Sequence, residues 1–306
     1  MVIFGQCVLG PPGAGKTTYC TGMQQLLGAL KRPRTLINLD PANDELPYDC
    51  DIDVRELVNV EDVMNELDLG PNGALLYAME YIEVNLDWLI TRIRQATSEF
   101  AVPYLFIDCP GQVELYTHNE VMTKITQQLV KALDVRLVAV HLIDSTLCVD
   151  AYRYLSAVFL SLSAMMQLEL PHINVLSKID MVMDHTDDLK FGLDYYAGVS
   201  DLSQLLWTLQ TTRHPMSVKF KEFNRQIAEL IEDYGLVSFE PLAIQDKECA
   251  LRVLGRCDTA NGHIMNSEKV EDPSDPVAGI RLFQAGFSDA GEFLDEYLER
   301  YEERFQ

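Results

Sequence analysis

Short apolar runs alternate with longer stretches of helical periodicity along this chain. The runs Ile3–Leu9, Thr35–Leu39, Tyr104–Ile107, Leu137–Ile143, Ile173–Leu176 and Val237–Pro241 are rich in Val, Ile, Leu and Phe. Continuous apolar runs of this length suit strands buried on both faces. Apolar residues recur at helical spacing over Lys16–Leu30, Val54–Leu67, Asn72–Ala96, Glu120–Leu133, Ala151–Gln167, Val218–Tyr234 and Lys247–Ala260. The alternation predicts an α/β fold, a doubly wound and mainly parallel sheet with crossover helices. The segment Asp184–Ser203 is polar and reads as a loop or small insertion. In such sheets ligands bind beyond the carboxyl ends of the strands. Here those ends lead into Asp40, Asp108, Asp144 and Lys178.

The first strand carries the most specific chemistry. Residues 10–17, directly behind the apolar run Val2–Leu9, read Gly-Pro-Pro-Gly-Ala-Gly-Lys-Thr. This is G-x-x-x-x-G-K-[ST] between a strand and a helix, the context in which a glycine loop cradles phosphates. Gly13, Ala14 and Gly15 would offer backbone N–H groups, and the following helix N-terminus adds a favourable dipole. Lys16 would reach the β- and γ-phosphates, and the Thr17 hydroxyl would ligate Mg²⁺. Thr18 doubles the threonine.

Three further segments fit around that loop. Asp108-Cys109-Pro110-Gly111-Gln112 follows the third predicted strand. Asp108 would hold the Mg²⁺ shell, the Gly111 N–H would sense the γ-phosphate, and Gln112 stands where a water-orienting glutamine is expected. Ser177-Lys178-Ile179-Asp180 matches N/T-K-x-D with serine in place of asparagine. Asp180 would accept from guanine, and the Lys178 stem would cover the base. Serine lacks the amide, so looser base affinity is expected. Asp40, in Asn38–Asn43, would order a Mg²⁺-bound or attacking water. Gly70-Pro71-Asn72 is locally only a turn with Asn72 near a helix start.

Composition narrows the picture. The chain has 306 residues, 48% hydrophobic, enough for one large α/β domain with an appendage. Its net charge of −23 disfavours direct nucleic-acid or membrane binding and suits basic protein partners. Seven scattered cysteines without a CxxC pair argue for reduced thiols in an intracellular compartment. No run reads as a signal peptide or membrane span. Periodicity weakens after Gly262, which divides the chain into a domain over 1–262 and an acidic tail over 263–306. Residues 265–306 hold eleven acidic and four basic side chains, a net of −7. A helix over Gly291–Phe305 would carry Phe293, Leu294, Tyr297, Leu298 and Tyr301 on one side. A solvated tail and an acidic docking segment are the two readings.

Together these segments resemble the GPN-loop GTPases. The matching stretches are Gly10–Thr18, Asn38–Asn43, Gly70–Asn72, Asp108–Glu114, Ser177–Asp180 and Val237–Leu242, within roughly residues 3–262. The run Asn43–Leu57 is most similar to one eukaryotic branch of that family. The resemblance implies a P-loop NTPase of the MinD and signal-recognition class with helical insertions, using GTP and Mg²⁺. It implies a homodimer, or a heterodimer with GPN-loop paralogues, in which Asn72 serves the partner's active site. Gln112 and Glu114 would position water with support from Asp40, and Ser238 would lie in the base-side loop. It further implies a cytoplasmic protein that shuttles to the nucleus and works in RNA polymerase II assembly or import. Two alternatives remain: a nucleotide-gated assembly factor with incidental turnover, and a P-loop small-molecule kinase.

Overall fold

A computed structural model describes residues 2–183, 189–199, 201–211, 220–235, 237–263 and 290–305. Among the described residues seven parallel strands form one sheet: β1 (Ile3–Leu9), β2 (Thr35–Asn38), β3 (Ile52–Asp53), β4 (Tyr104–Asp108), β5 (Val135–Asp144), β6 (His172–Ser177) and β7 (Phe239–Leu242). Their order is β3-β2-β4-β1-β5-β6-β7. β1 is central: β4 lies between it and β2, with β3 at that edge, while β5, β6 and β7 follow in order on the other side, the doubly wound arrangement that the α/β reading requires.

Strand periodicity divides the core. Phe4 and Val8 face one apolar cluster, whereas Ile3, Cys7 and Leu9 face the other. On β5, Val138, Val140 and Leu142 join the first cluster, and Val135, Leu137 and Ala139 the second. This alternation buries both faces of the sheet. The helices covering them include α1 (Lys16–Ala29), α2 (Val60–Leu67), α3 (Pro71–Val84), α4 (Leu86–Thr97), α5 (Glu114–Thr117), α6 (Val121–Leu133) and α7 (Ala151–Leu168). The α1 side chains Tyr19, Met23 and Leu27 lie in the first cluster. Met79 and Ile82 of α3, Ile93 of α4 and Ile125 of α6 lie in the second.

Two predicted helices are each two. The pattern over Asn72–Ala96 breaks at Asn85, whose Nδ2 donates to the Tyr81 carbonyl at 2.8 Å and closes α3. The pattern over Val54–Leu67 becomes a 3₁₀ turn, Val54–Glu56, and then α2. Asn59 caps α2 by accepting from the Glu61 N–H at 2.8 Å. β3 was not foreseen, because two residues carry no periodicity.

Beyond α7 come α8 (Ile179–Met183), α9 (Leu193–Gly198), α10 (Leu202–Thr211) and α11 (Lys221–Tyr234). The expected loop over Asp184–Ser203 therefore holds α9 and the start of α10, while 184–188 and 200 lie outside the described residues. So do 218 and 219, where the helix ending at Tyr234 was expected to begin. α12 (Lys247–Asn261) follows β7, and α13 (Ala290–Phe305) closes the described chain. In α13, Phe293, Leu294 and Tyr297 are buried in the first cluster, so this acidic helix is not a solvated tail. The Arg252 guanidinium lies 4.8 Å over the Phe293 ring, and Arg300 pairs with Glu248.

Candidate nucleotide site

The phosphate loop is built by close approach. Gly10 adopts φ +143°, and a Cβ there would run into the Leu142 carbonyl of neighbouring β5. Only glycine allows the loop to leave the sheet at this point. Gly13 and Gly15 also have positive φ, and Gly15 leads directly into α1. The Lys16 side chain is buried, with Nζ 3.4 Å from the Pro11 carbonyl. Burial lowers its pKa, while Asp108 and Asp40 oppose that shift. The ammonium is thus held against two carboxylates in a desolvated place.

Register brings those carboxylates together. Asn38 on β2 pairs with Asp108 on β4, and Asp53 on β3 pairs with Asn38. The Asn38 amide donates to Asp53 Oδ1 at 3.0 Å and to the Asp40 carbonyl at 3.1 Å. Its own oxygen accepts from the Asp40 N–H at 3.2 Å. Asn38 therefore fixes the turn that carries Asp40. Burial raises the Asp40 pKa and pushes that of Asp108 up to about 6. Hydrogen bonding from Tyr48 and the charge of Lys16 pull Asp108 back down.

Lys16, Asp40 and Asp108 line a cavity of about 570 Å³ with Pro12, Thr17, Gly111, Gln112, Glu114 and Asn72. Gln112 Oε1 and Asp108 Oδ1 are buried without a hydrogen-bond partner. Orphaned acceptors of this kind suit a cation, a metal-bound water or an attacking water. The residues present therefore fit Mg²⁺, with Thr17 and Asp108 to hold it and Asp40 beside them. Gly70 is the N-cap of α3 and Pro71 its first residue, so Asn72 is the second helical residue. Asn72 is exposed on the cavity rim. The resemblance set it against a partner's nucleotide, yet in the single chain it already lines its own cavity.

A second cavity, about 210 Å³, adjoins the phosphate loop. Ala14, Gly15, Thr18, Ser177, Lys178, Asp180, Leu242, Ile244 and Gln245 are among its lining residues. Lys178 adopts φ +60°, and its Nζ donates to the Gly13 carbonyl at 2.5 Å and to Asp144 Oδ2 at 2.7 Å. Burial works against ionised Asp144, but Lys178 and Thr146 outweigh it and lower its pKa. The Ser177 hydroxyl lies 2.8 Å from the Ala14 carbonyl and 2.9 Å from that of Ile143. The serine thus ties the phosphate loop to the end of β5, a role its sequence position did not reveal.

Ser238 is not brought to this site. β7 runs parallel to β6, with Ser177 opposite Leu242. The ligand end of β7 is therefore Leu242, and Ser238 lies about 13 Å away along the strand. It lines a different cavity with Gly198, Asp201, Glu232 and Gly235. Leu242, Ile244 and Gln245 take the base-side place, as strand direction alone could have indicated.

A family model described as a conserved hypothetical ATP binding protein matches residues 8–263. GPN-loop GTPase 2 of Danio rerio is 50% identical over 260 residues, covering 85% of this chain and 81% of that protein. The chain belongs to the GPN-loop GTPase family. GPN-loop GTPase QQT1 of Arabidopsis thaliana is 47% identical, with 86% of each chain covered. GPN-loop GTPase 2 of Schizosaccharomyces pombe is 41% identical over 304 residues, covering 96% of this chain and 94% of that one. The crystal structure of an apo-form GTPase from Pyrococcus abyssi matches with a TM-score of 0.65 at 23% identity, over 85% of this chain and 97% of that one. At that identity the likeness concerns the fold. Gly70-Pro71-Asn72, the tripeptide for which the GPN-loop family is named, lies beside the P-loop in space although 55 positions separate Asn72 from Thr17.

Proposed function

We propose that the chain is a Mg²⁺-dependent GTP-binding and hydrolysing switch that works as a dimer. The observation that carries this reading is the single cavity shared by Lys16, Thr17, Asp40, Asp108, Gln112 and Asn72, with the Lys178–Asp180 pocket beside it. The loop amides and Lys16 bind the phosphates. Mg²⁺, when bound, neutralises phosphate charge during transfer to water. The Gly111 N–H marks the presence of the γ-phosphate, and Gln112, with its free Oε1, orients the attacking water. Asp40 accepts from the Ala42 N–H at 3.0 Å, which leaves its remaining acceptor positions for that water or for a metal-bound one. Glu114 is exposed at the first position of α5, from which it supports the same water.

The kinship and Asp180 favour guanine over the adenine in the family model's description. Asp180 accepts where guanine donates, and adenine offers no matching pair. Dimerisation is supported by the outer face of α3. Tyr77, Tyr81 and Val84 are exposed at helical spacing on the helix that begins at the Gly-Pro-Asn loop. A second copy, or a paralogue, against this face would share the Asn72 rim. The net charge of −23 suits a basic client surface, and the family resemblance carries the assignment to RNA polymerase II assembly or import.

Phosphate release from GTP, with and without Mg²⁺, tests the reading. Release that needs Mg²⁺ and is lost in Gln112→Ala supports a hydrolytic switch. Tight GTP binding without release would favour a gate that senses only occupancy, and phosphoryl transfer to a nucleoside monophosphate would favour a kinase.

A further inference from the structure

Between β2 and β3 the chain forms a mainly exposed loop. Ala42, Asp44, Glu45, Pro47 and Asp49 face solvent, yet Tyr48 among them is only 6% exposed. A buried tyrosine hydroxyl usually finds a hydrogen-bond partner. Tyr48 finds it in the site carboxylate, donating to Asp108 Oδ2 at 3.0 Å. Asp108 is 2% exposed, and its other oxygen, Oδ1, makes no hydrogen bond of normal geometry, with the Thr17 hydroxyl as the nearby group that interacts with the same carboxylate. Tyr48 therefore makes the two Asp108 oxygens unequal: one is held, the other is left for an incoming group.

The loop is also fastened by contacts that do not involve Asp108. Arg55 donates to the carbonyls of Asn43 and Asp44, at 2.6 and 2.9 Å. Gln24 donates to the Asp49 carbonyl at 2.9 Å. Tyr48 is the loop side chain that reaches Asp108; it falls within the run Asn43–Leu57 that carries the family resemblance, but no chemical role is read for it from the sequence.

We infer that Tyr48 is a positioning residue for the magnesium site: by holding Asp108 Oδ2 it reserves Oδ1 for the cation or its water, and it links the order of loop 41–51 to cation occupancy. The inference rests on the P-loop reading above. Partners behind a ligating carboxylate set its orientation and its basicity, and losing one typically weakens metal affinity about 10–100-fold. The link is reciprocal: if Tyr48 favours the cation, the cation favours the loop position that seats Tyr48.

Tyr48→Phe removes the hydroxyl and keeps the ring. Magnesium is titrated calorimetrically into the GDP complex of each protein, and GDP affinity is measured separately in EDTA. The expected result is Mg²⁺ binding about 10–100-fold weaker in the variant, with metal-free GDP affinity unchanged. Hydrogen exchange over 41–51 should quicken and lose its response to Mg²⁺. Equal Mg²⁺ affinity in the two proteins would overturn the role of Tyr48 alone. A wild-type GDP complex indifferent to Mg²⁺ would overturn the metal reading and this inference with it. Should the variant fail to fold, the wild-type chain decides: Mg²⁺ must slow exchange over 41–51, and unchanged exchange overturns the link.

Discussion

Gly111 stands against Lys16: a Cβ built on Gly111 would lie 2.9 Å from the Lys16 Nζ and 3.5 Å from the Pro12 Cα. The segment expected to sense the γ-phosphate is therefore packed on the group expected to bind it. Gly111→Ala would displace either the ammonium or the loop that carries Gln112. The expected outcome is about a tenfold or greater fall in GTP affinity relative to GDP, the loss typical of a hydrogen bond to a charged group. Competitive displacement of a fluorescent nucleotide measures that ratio. An unchanged ratio would separate Gly111 from γ-phosphate sensing.

Lys16→Ala should abolish tight nucleotide binding. The phosphates would lose a desolvated charge partner, an interaction on the order of 2–5 kcal/mol. Calorimetry showing wild-type GTP affinity would remove the P-loop assignment.

Asp180→Asn should shift base preference from guanine toward xanthine. Asparagine presents a donor where guanine also donates, whereas xanthine has a carbonyl there. Competition between GTP and XTP reports the change. A variant with the wild-type preference would exclude Asp180 as the base reader.

Much of this site was legible because its chemistry needs few residue types at fixed spacing. Gly10–Thr17 and Asp108–Gln112 are recognisable from strand, glycine and charge alone, and both segments meet at one cavity. What escaped the sequence depended on neighbours. Ser238 was set in the base-side loop, but the direction of β7 puts Leu242 at the ligand end. Ser177 read as a weakened base contact, and its tie to Ala14 exists only once β6 lies beside β5. Tyr48 sits in an acidic loop without periodicity, so only the fold reveals its bond to Asp108. Asn85 ends α3 through a local side-chain bond that helical spacing does not encode. The docking of α13 places Phe293 against Arg252, a pairing 41 positions apart.

Asn72→Ala should slow GTP hydrolysis about 10²–10³-fold, the usual effect of removing a positioned polar group, while GTP affinity stays near wild type. Asn72 lies at the exposed rim of the cavity, on α3 and not on the loop that supplies the phosphate-binding amides, so its loss removes positioning rather than ground-state binding. Single-turnover kinetics with saturating protein separates the two. Equal rates would return Asn72 to a purely helical role.

Stability should fall as pH drops below about 6.5, the unperturbed histidine value. Burial lowers the pKa of His141 to about 3 and that of His172 to about 4. Both stay neutral in the folded chain while the unfolded chain takes up protons, so their contribution is full above 6.5 and is lost toward pH 3–4. Asp108, raised to about 6, acts in the opposite sense and offsets part of the loss. Urea melts from pH 7.5 to 4.5 check the slope, and ring-proton resonances of His141 and His172 should stay unshifted down to pH 5. Titration of either near 6.5 would contradict their burial.

The most direct test of the whole account is equilibrium binding of GTP and of ATP to the purified wild-type chain, measured by calorimetry with Mg²⁺ present. A pocket that pairs guanine with the partly buried Asp180 leaves that carboxylate unmatched by adenine, and sites built to hydrogen-bond one substrate discriminate strongly. The account predicts one nucleotide per chain, with GTP bound at least about a hundredfold more tightly than ATP. Equal affinity for the two, or tighter binding of ATP, would contradict it.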